Sequence, residues 1–294
     1  MTDVYHSGEL TVQKMAGAEV AAEQNGRGIK KSIPKGAIAF LETQSLIITA
    51  SVDKNGRVWS SVLTGEPGFL HVEDEETLRI RSNPVLNDPL IHNLNSNQEI
   101  GLLVIDFSRR IRLRMNGTGR FDEDQQLVVQ TEQVYGNCPK YIQKRSLLPN
   151  GVFHRKQQFE HHFVNLPPKQ QEWIRQSDTF FIGSMSSEGK LDASHRGGSP
   201  GFVKVFNERT LIFPDYFGNS MFNTLGNIYS NPSTGILFMD FDFGHSLQLT
   251  GRSEIIWDEK EISQFPAAER LVRLEIDEAL YTENSTQLSW IQTQ

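Results

Sequence analysis

The chain repeats itself. Displaced by 133 positions, Pro34 falls on Pro167, Ser51 on Ser184, Gly56 on Gly189, Ser61 on Ser194 and Pro67-Gly68-Phe69 on Pro200-Gly201-Phe202. One inserted residue later the displacement is 134, and Gly101 meets Gly235, Asp106-Phe107 meets Asp240-Phe241 and Gly117 meets Gly251. A period of this length is a whole domain copied, since solenoid repeats are shorter. Each copy opens with a helix behind a proline (35–44 and 168–176). Two strands joined by a glycine turn follow (46–52 and 58–64; 179–185 and 191–197). Further strands lie at 78–81 or 211–213, at 100–107 with 111–117, and at 235–241 with 246–256, a short helix preceding each pair. Many short strands with few helices predict a mainly β fold with α decorations, each copy a closed antiparallel barrel, which would leave no free strand edge. The predicted organisation is a helical extension over 1–32, a first barrel over 33–150 and a second over 151–294. The extension reads as one short helix closed by Asn25-Gly26, and 150–167 reads as the connection between copies.

Composition narrows the function classes. The 294 residues are 37% hydrophobic and 22% charged, enough for two ordinary domains. A net charge of -7 argues against a nucleic-acid or basic membrane-surface protein. The single cysteine, Cys138, excludes an internal disulfide and an all-cysteine metal or iron–sulfur site within one chain. No apolar run approaches the ~20 residues of a membrane span. Met1 to His6 carry no signal-peptide pattern, so a cytoplasmic location is the expectation. His161-His162 point apart on a strand and have no carboxylate at ligand spacing, so no metal site is expected. No glycine-rich phosphate loop, nucleophile elbow or zinc signature is present.

The copies diverge where a ligand would sit. On one face of the second strand, copy two carries Asp192, Ser194 and Arg196, whereas copy one carries Trp59, Ser61 and Leu63. A hydroxyl and a guanidinium beside Gly197-Gly198 suit an anionic, hydrogen-bonding ligand such as a phosphate ester. Copy two opens its short helix with Phe222-Asn223-Thr224, where backbone N–H groups face an anion. Copy one has Asp88-Pro89-Leu90 there, a carboxylate and one donor fewer, so it is expected to hold no anion. Copy one instead carries Arg110, Arg112, Arg114 and Asn116 on one strand face. That face is either solvated and salt-bridged or turned toward the other barrel to lend charge to a shared site.

Together these residues resemble the pyridoxamine 5'-phosphate oxidase-like family of FMN-binding split barrels, in its two-barrel branch. The segments that carry the resemblance include Trp59-Ser60-Ser61 with Gly65 to Phe69, Arg109 to Gly117 and Gly136 to Gln143. Ser194 to Phe202, Pro214 to Asn227 and Leu249 to Arg252 complete it. It covers nearly the whole chain. The resemblance implies two tandem split β-barrels arranged as an intrachain pseudo-dimer, with FMN between them. It places the cofactor against Ser194, His195, Arg196 and Gly197, Pro214 and Asp215, and Phe222, Asn223 and Thr224. Asn227 would line the ring or ribityl chain, and Arg112 and Arg114 would come from the opposite barrel. The oxidase itself has an Arg-Lys pair where this chain has Asn223-Thr224, and its substrate-binding residues have no match here.

The resemblance thus implies an FMN-dependent oxidoreductase with a small-molecule substrate or electron donor. The alternatives are a flavin- or haem-binding carrier or sensor, with His195 as the axial candidate, and a scaffold without cofactor. A homodimer is left open. Cys138, in a tight turn beside Lys140, either borders the flavin or is a small buried residue. Trp290 either stands beside the cofactor or packs.

Overall fold

The computed structural model describes residues 4–82, 85, 87–136, 139–148 and 157–293. Helices α1 (Ser7–Met15), α2 (Glu19–Gly26) and α3 (Lys35–Glu42) precede β1 (Leu46–Val52), β2 (Val58–Thr64), β3 (Leu70–Asp74) and β4 (Thr77–Ile80). Then come α4 (Pro89–Ser96), β5 (Glu99–Asp106), β6 (Ile111–Phe121) and β7 (Leu127–Gly136), followed by β8 (Arg145–Leu147) and β9 (Phe159–Phe163). The second copy runs through α5 (Pro168–Gln176), β10 (Thr179–Met185), β11 (Leu191–Gly197), β12 (Lys204–Val205), β13 (Thr210–Tyr216) and α6 (Asn223–Ser230). It ends with β14 (Ser233–Met239), β15 (Ser246–Ile256), α7 (Glu259–Ile262), β16 (Ala268–Glu283) and β17 (Trp290–Gln292).

The two sheets have one topology. Their orders, β2-β1-β5-β6-β7-β4-β3 and β11-β10-β14-β15-β16-β13-β12, match strand for strand. The end strands of each sheet do not pair with each other among the described residues, so each barrel is split rather than closed. The edge is covered instead: β2 packs on β14 and β15 of the other copy, and β11 on β5 and β6. These two edge strands, β2 and β11, are buried over nearly their whole length, whereas β3 and β12 at the opposite edges are largely open.

This mutual cover explains why β1 and β10 are apolar on both faces. Ile47 and Phe180 point into the cores of their own barrels, and Ile48 and Phe181 into a third core shared by the two. Strands buried on both sides read as continuous apolar runs. Each fully buried aliphatic or aromatic side chain here stabilises by roughly 1.5–3 kcal/mol.

Two local expectations change, and one long strand was not expected at all. The N-terminal extension is two helices, broken where Gly17 takes a left-handed φ of 62°. Part of the expected connection, β9, is a strand paired with β16. The long β16 closes the second sheet between β15 and β13, although its mixed polar sequence gives no clear alternation.

Candidate functional site

A cleft of about 860 Å³, its open mouth included, lies on the seam between the barrels. The end of β11 forms its floor, with Ser194, His195, Arg196 and Gly197. Pro214 and Asp215 of β13 form one wall, Phe222, Asn223 and Thr224 at the start of α6 a second, and Arg112 and Arg114 of β6 a third. The arginine-bearing face of the first copy therefore meets the second barrel, and Arg114 is only 3% exposed.

The helix start is the central feature. Phe222, the N-cap of α6, holds φ 59° in the left-handed region, and no side chain caps the first turn. Its first backbone N–H groups, which no helical carbonyl can satisfy, are therefore not taken by a cap. Arg196 stands across from it, its Nη1 donating to Asp215 Oδ1 at 2.5 Å. The Arg196 Nε is buried and has no hydrogen-bond partner among the described residues.

Arg114 is held by a buried network. It donates to Asp192 and, at 3.5 Å, to Asn223 Oδ1, and it lies 5.0 Å over the Tyr135 ring. Asp192 also accepts from Tyr135 at 3.1 Å and from Asn116 at 3.3 Å. Burial, the largest single influence, opposes charge on Arg114, but Asp192, Tyr135 and Glu9 together outweigh it and raise the guanidinium pKa further. Such a pair is costly to desolvate, and extra hydrogen bonds of this kind offset that cost.

Arg112 Nη1 lies 3.1 Å from His195 Nδ1. A guanidinium only donates, so Nδ1 accepts and the ring proton sits on Nε2. Burial first, then Arg112, Arg196 and Arg145, push the His195 pKa well below its ordinary value, so the ring stays neutral. The ring packs edge-on against Phe107 and Phe181, at 6.4 and 5.9 Å.

Two expected residues stand elsewhere. Asn227 lies one turn down α6 and does not line the cleft, its amide bonding Ser184 Oγ at 3.0 Å and His6 Nε2 at 2.8 Å. Trp290 belongs to β17, which pairs with β8, and packs edge-on against Phe241 at 5.4 Å in the core between the barrels. Cys138 lies outside the described residues.

Sequence reasoning missed others. Glu9 of α1 accepts from Asn223 Nδ2 at 2.5 Å and from the His6 backbone N–H at 2.8 Å. Burial raises its pKa from 4.5 to about 7, although the bonds from His6 and Asn223 act the other way. It reaches Asn223 because α1 and α6 cross at two glycines: a Cβ on Gly8 would stand 2.3 Å from the Gly226 carbonyl oxygen. Lys140 and Tyr141 also line the cleft, with the Tyr141 ring stacked on Tyr216 at 5.1 Å.

The matching position of the first copy is filled from within. Asp88 caps α4 by accepting from the Leu90 backbone N–H at 2.9 Å, and it accepts from Ser61 Oγ at 2.6 Å and Gln248 Nε2 at 3.3 Å. Burial raises its pKa from 3.8 to about 6. Ser61 matches Ser194, and Gln248 matches Arg114, so a carboxylate of the chain itself takes the donors at this helix start.

These features define a tandem split barrel with a basic cleft on the seam between its halves. The family model described as pyridoxamine 5'-phosphate oxidase matches residues 33–156 and again 166–289, and the chain belongs to that family. No curated protein matches. Among solved structures, the chain is similar to HupZ of Group A Streptococcus at 12% identity, over 38% of this chain and 90% of that one, with a TM-score of 0.32. A putative pyridoxamine 5'-phosphate oxidase from Lactobacillus delbrueckii matches at 14% identity, over 40% and 94%, with a TM-score of 0.32. HutZ, the heme storage protein of Vibrio cholerae, matches at 13% identity, over 41% and 96%, with a TM-score of 0.31.

Proposed function

We propose that the protein binds one FMN per chain in the seam cleft and serves as an FMN-dependent oxidoreductase. The observation that carries this reading is convergence. Arg112 and Arg114 from the first barrel, and Ser194, Arg196 and Thr224 from the second, surround the uncapped start of α6. A phosphate monoester needs this donor set: guanidinium N–H groups, hydroxyls and helix N-terminal amides. The buried, unpartnered Nε of Arg196 is a donor that such a group would satisfy.

Ser194, Arg196, Asn223 and Thr224 hold the phosphate, with Arg112 and Arg114 supplying charge in place of the family's basic pair. Pro214 and Asp215 line the path of the ribityl chain and ring. When bound, the flavin supplies hydride or electron transfer, and the protein supplies orientation and field. The reacting partner is a small-molecule substrate or electron donor. A haem reading would need His195 as axial ligand, and the enclosure of that ring by Phe107 and Phe181 favours flavin instead.

The test is the absorption spectrum of the purified protein before and after incubation with FMN and desalting. Retained bands near ~370 and ~450 nm support the reading. A Soret band after haem loading, with no flavin retained, moves the protein to the haem branch. A colourless protein that refuses both points to a barrel without cofactor.

A further inference from the structure

Asp215 sits between two arginines. Its Oδ1 accepts from Arg196 at 2.5 Å, and its Oδ2 lies 3.5 Å from Arg270 Nε. Arg270 is its direct partner across β13 and β16. At the next position the register shifts, Tyr216 facing Ala268, and Glu269 in the bulge lines the cleft. Bulges beside binding sites often re-aim a side chain in this way.

Arg270 itself is not in the cleft wall. It is 4% exposed and lies 4.8 Å over the ring of Phe222, the residue that opens α6, and 5.5 Å from Trp257. Its Nη2 meets Glu269, whereas Nε and Nη1 have no hydrogen-bond partner among the described residues. A buried cation with two unspent donors beside a carboxylate is expensive unless a second arrangement uses them.

We propose that Asp215 stands in for the ligand anion at Arg196, and that Arg270 is the positioning residue that takes Asp215 over when an anion arrives. This rests on the reading of the cleft as a phosphate site. In the present arrangement Asp215 neutralises Arg196. An incoming phosphate competes for the same guanidinium and is repelled by the carboxylate. A movement of roughly 0.6 Å by Asp215 brings Oδ2 to ordinary hydrogen-bond distance from Arg270 Nε. That shift lengthens the 2.5 Å bond to Arg196 to at most about 3.1 Å, so Asp215 holds Arg196 less tightly and the guanidinium can turn its other donors to the phosphate while the carboxylate stays paired. Without Arg270, Arg196 is the one ion-pair partner left to Asp215 among the described residues, and Asp215 keeps it.

The test is calorimetric titration with inorganic phosphate and with FMN of wild type, Arg270→Met, Arg270→Lys, Asp215→Asn and the double variant D215N/R270M. Circular dichroism and thermal midpoints establish that each is folded. Arg270→Met should weaken phosphate binding about ten-fold or more, the scale of one lost charged hydrogen bond. Arg270→Lys should lose less. Asp215→Asn should bind more tightly than wild type, and the double variant should return close to Asp215→Asn, because no carboxylate is left to displace. A double variant as weak as Arg270→Met, or an Arg270→Met indistinguishable from wild type, overturns the proposal. If phosphate follows the series but FMN does not bind, the flavin reading fails and this proposal stands. If wild type binds neither, Asp215→Asn must bind phosphate, and its failure to do so also overturns the proposal.

Discussion

Gly101 and Gly235 stand at matching positions in the two copies, and each presses against the second strand of the other barrel. A Cβ on Gly101 would come 2.7 Å from the backbone of Asp192 and Ala193, and one on Gly235 would come 2.7 Å from the Val58 carbonyl oxygen. The contact is made twice, as in a two-fold dimer, although one chain supplies both halves. Main-chain atoms cannot retreat as a flexible side chain can. Gly101→Ala and Gly235→Ala should therefore each destabilise by roughly 1–3 kcal/mol, the cost of overpacking. Urea unfolding with an unchanged m-value checks this, and a neutral pair would mean that the seam is looser than described.

The buried pair at the back of the cleft should be costly to break. Asp192→Asn leaves Arg114 charged, buried and short of its main acceptor. Breaking such a pair from one side costs about 3–5 kcal/mol. A loss below about 1 kcal/mol in denaturant unfolding, the scale of an exposed pair, would show that water reaches the network.

Glu9 gives stability a pH slope. Its pKa is 4.5 ordinarily and about 7 when folded, so between those values the folded chain holds more protons than the unfolded one. Its contribution is therefore present below pH 4.5 and lost as pH rises through about 7. Asp88, raised from 3.8 to about 6, acts with the same sign over a lower window. The Glu9 share amounts to at most about 3 kcal/mol. Glu9→Gln should flatten the fall in urea midpoint between about pH 5 and about pH 8. An unchanged slope would assign it to other groups.

Asp88→Ala removes both the cap of α4 and the partner of Ser61 and Gln248. The expected cost is about 2 kcal/mol or more, from the cap and from the orphaned donors. Asp88→Asn keeps an acceptor for Leu90 and should cost less. Thermal unfolding of the two variants side by side distinguishes the losses.

Much of this was legible in the sequence because the duplication reports on itself. Gly101 and Gly235 aligned, and the substitutions of Leu63 by Arg196 and of Asp88 by Phe222 marked which half kept the anion-type donors. The alternating arginines of β6 turned toward the other barrel because that face has nowhere else to be buried. Glu9 was invisible: it lies in the extension outside the repeat, and only the crossing of α1 over α6 at Gly8 and Gly226 brings it to Asn223. Arg270 was missed for a different reason. β16 carries charges on most of its exposed positions, and nothing local marks the one that faces Asp215. Asn227 shares the helix face of Asn223 but sits one turn, about 5.4 Å, further along α6, where it bonds Ser184 and His6 instead of lining the cleft.

The most direct measurement is an FMN titration of wild type, Arg196→Ala and Leu63→Ala, read by calorimetric stoichiometry and flavin fluorescence. The account predicts one FMN per chain in wild type, loss of binding in Arg196→Ala, and retained binding with only a packing cost in Leu63→Ala. Two FMN per chain, or equal loss in both variants, would contradict it.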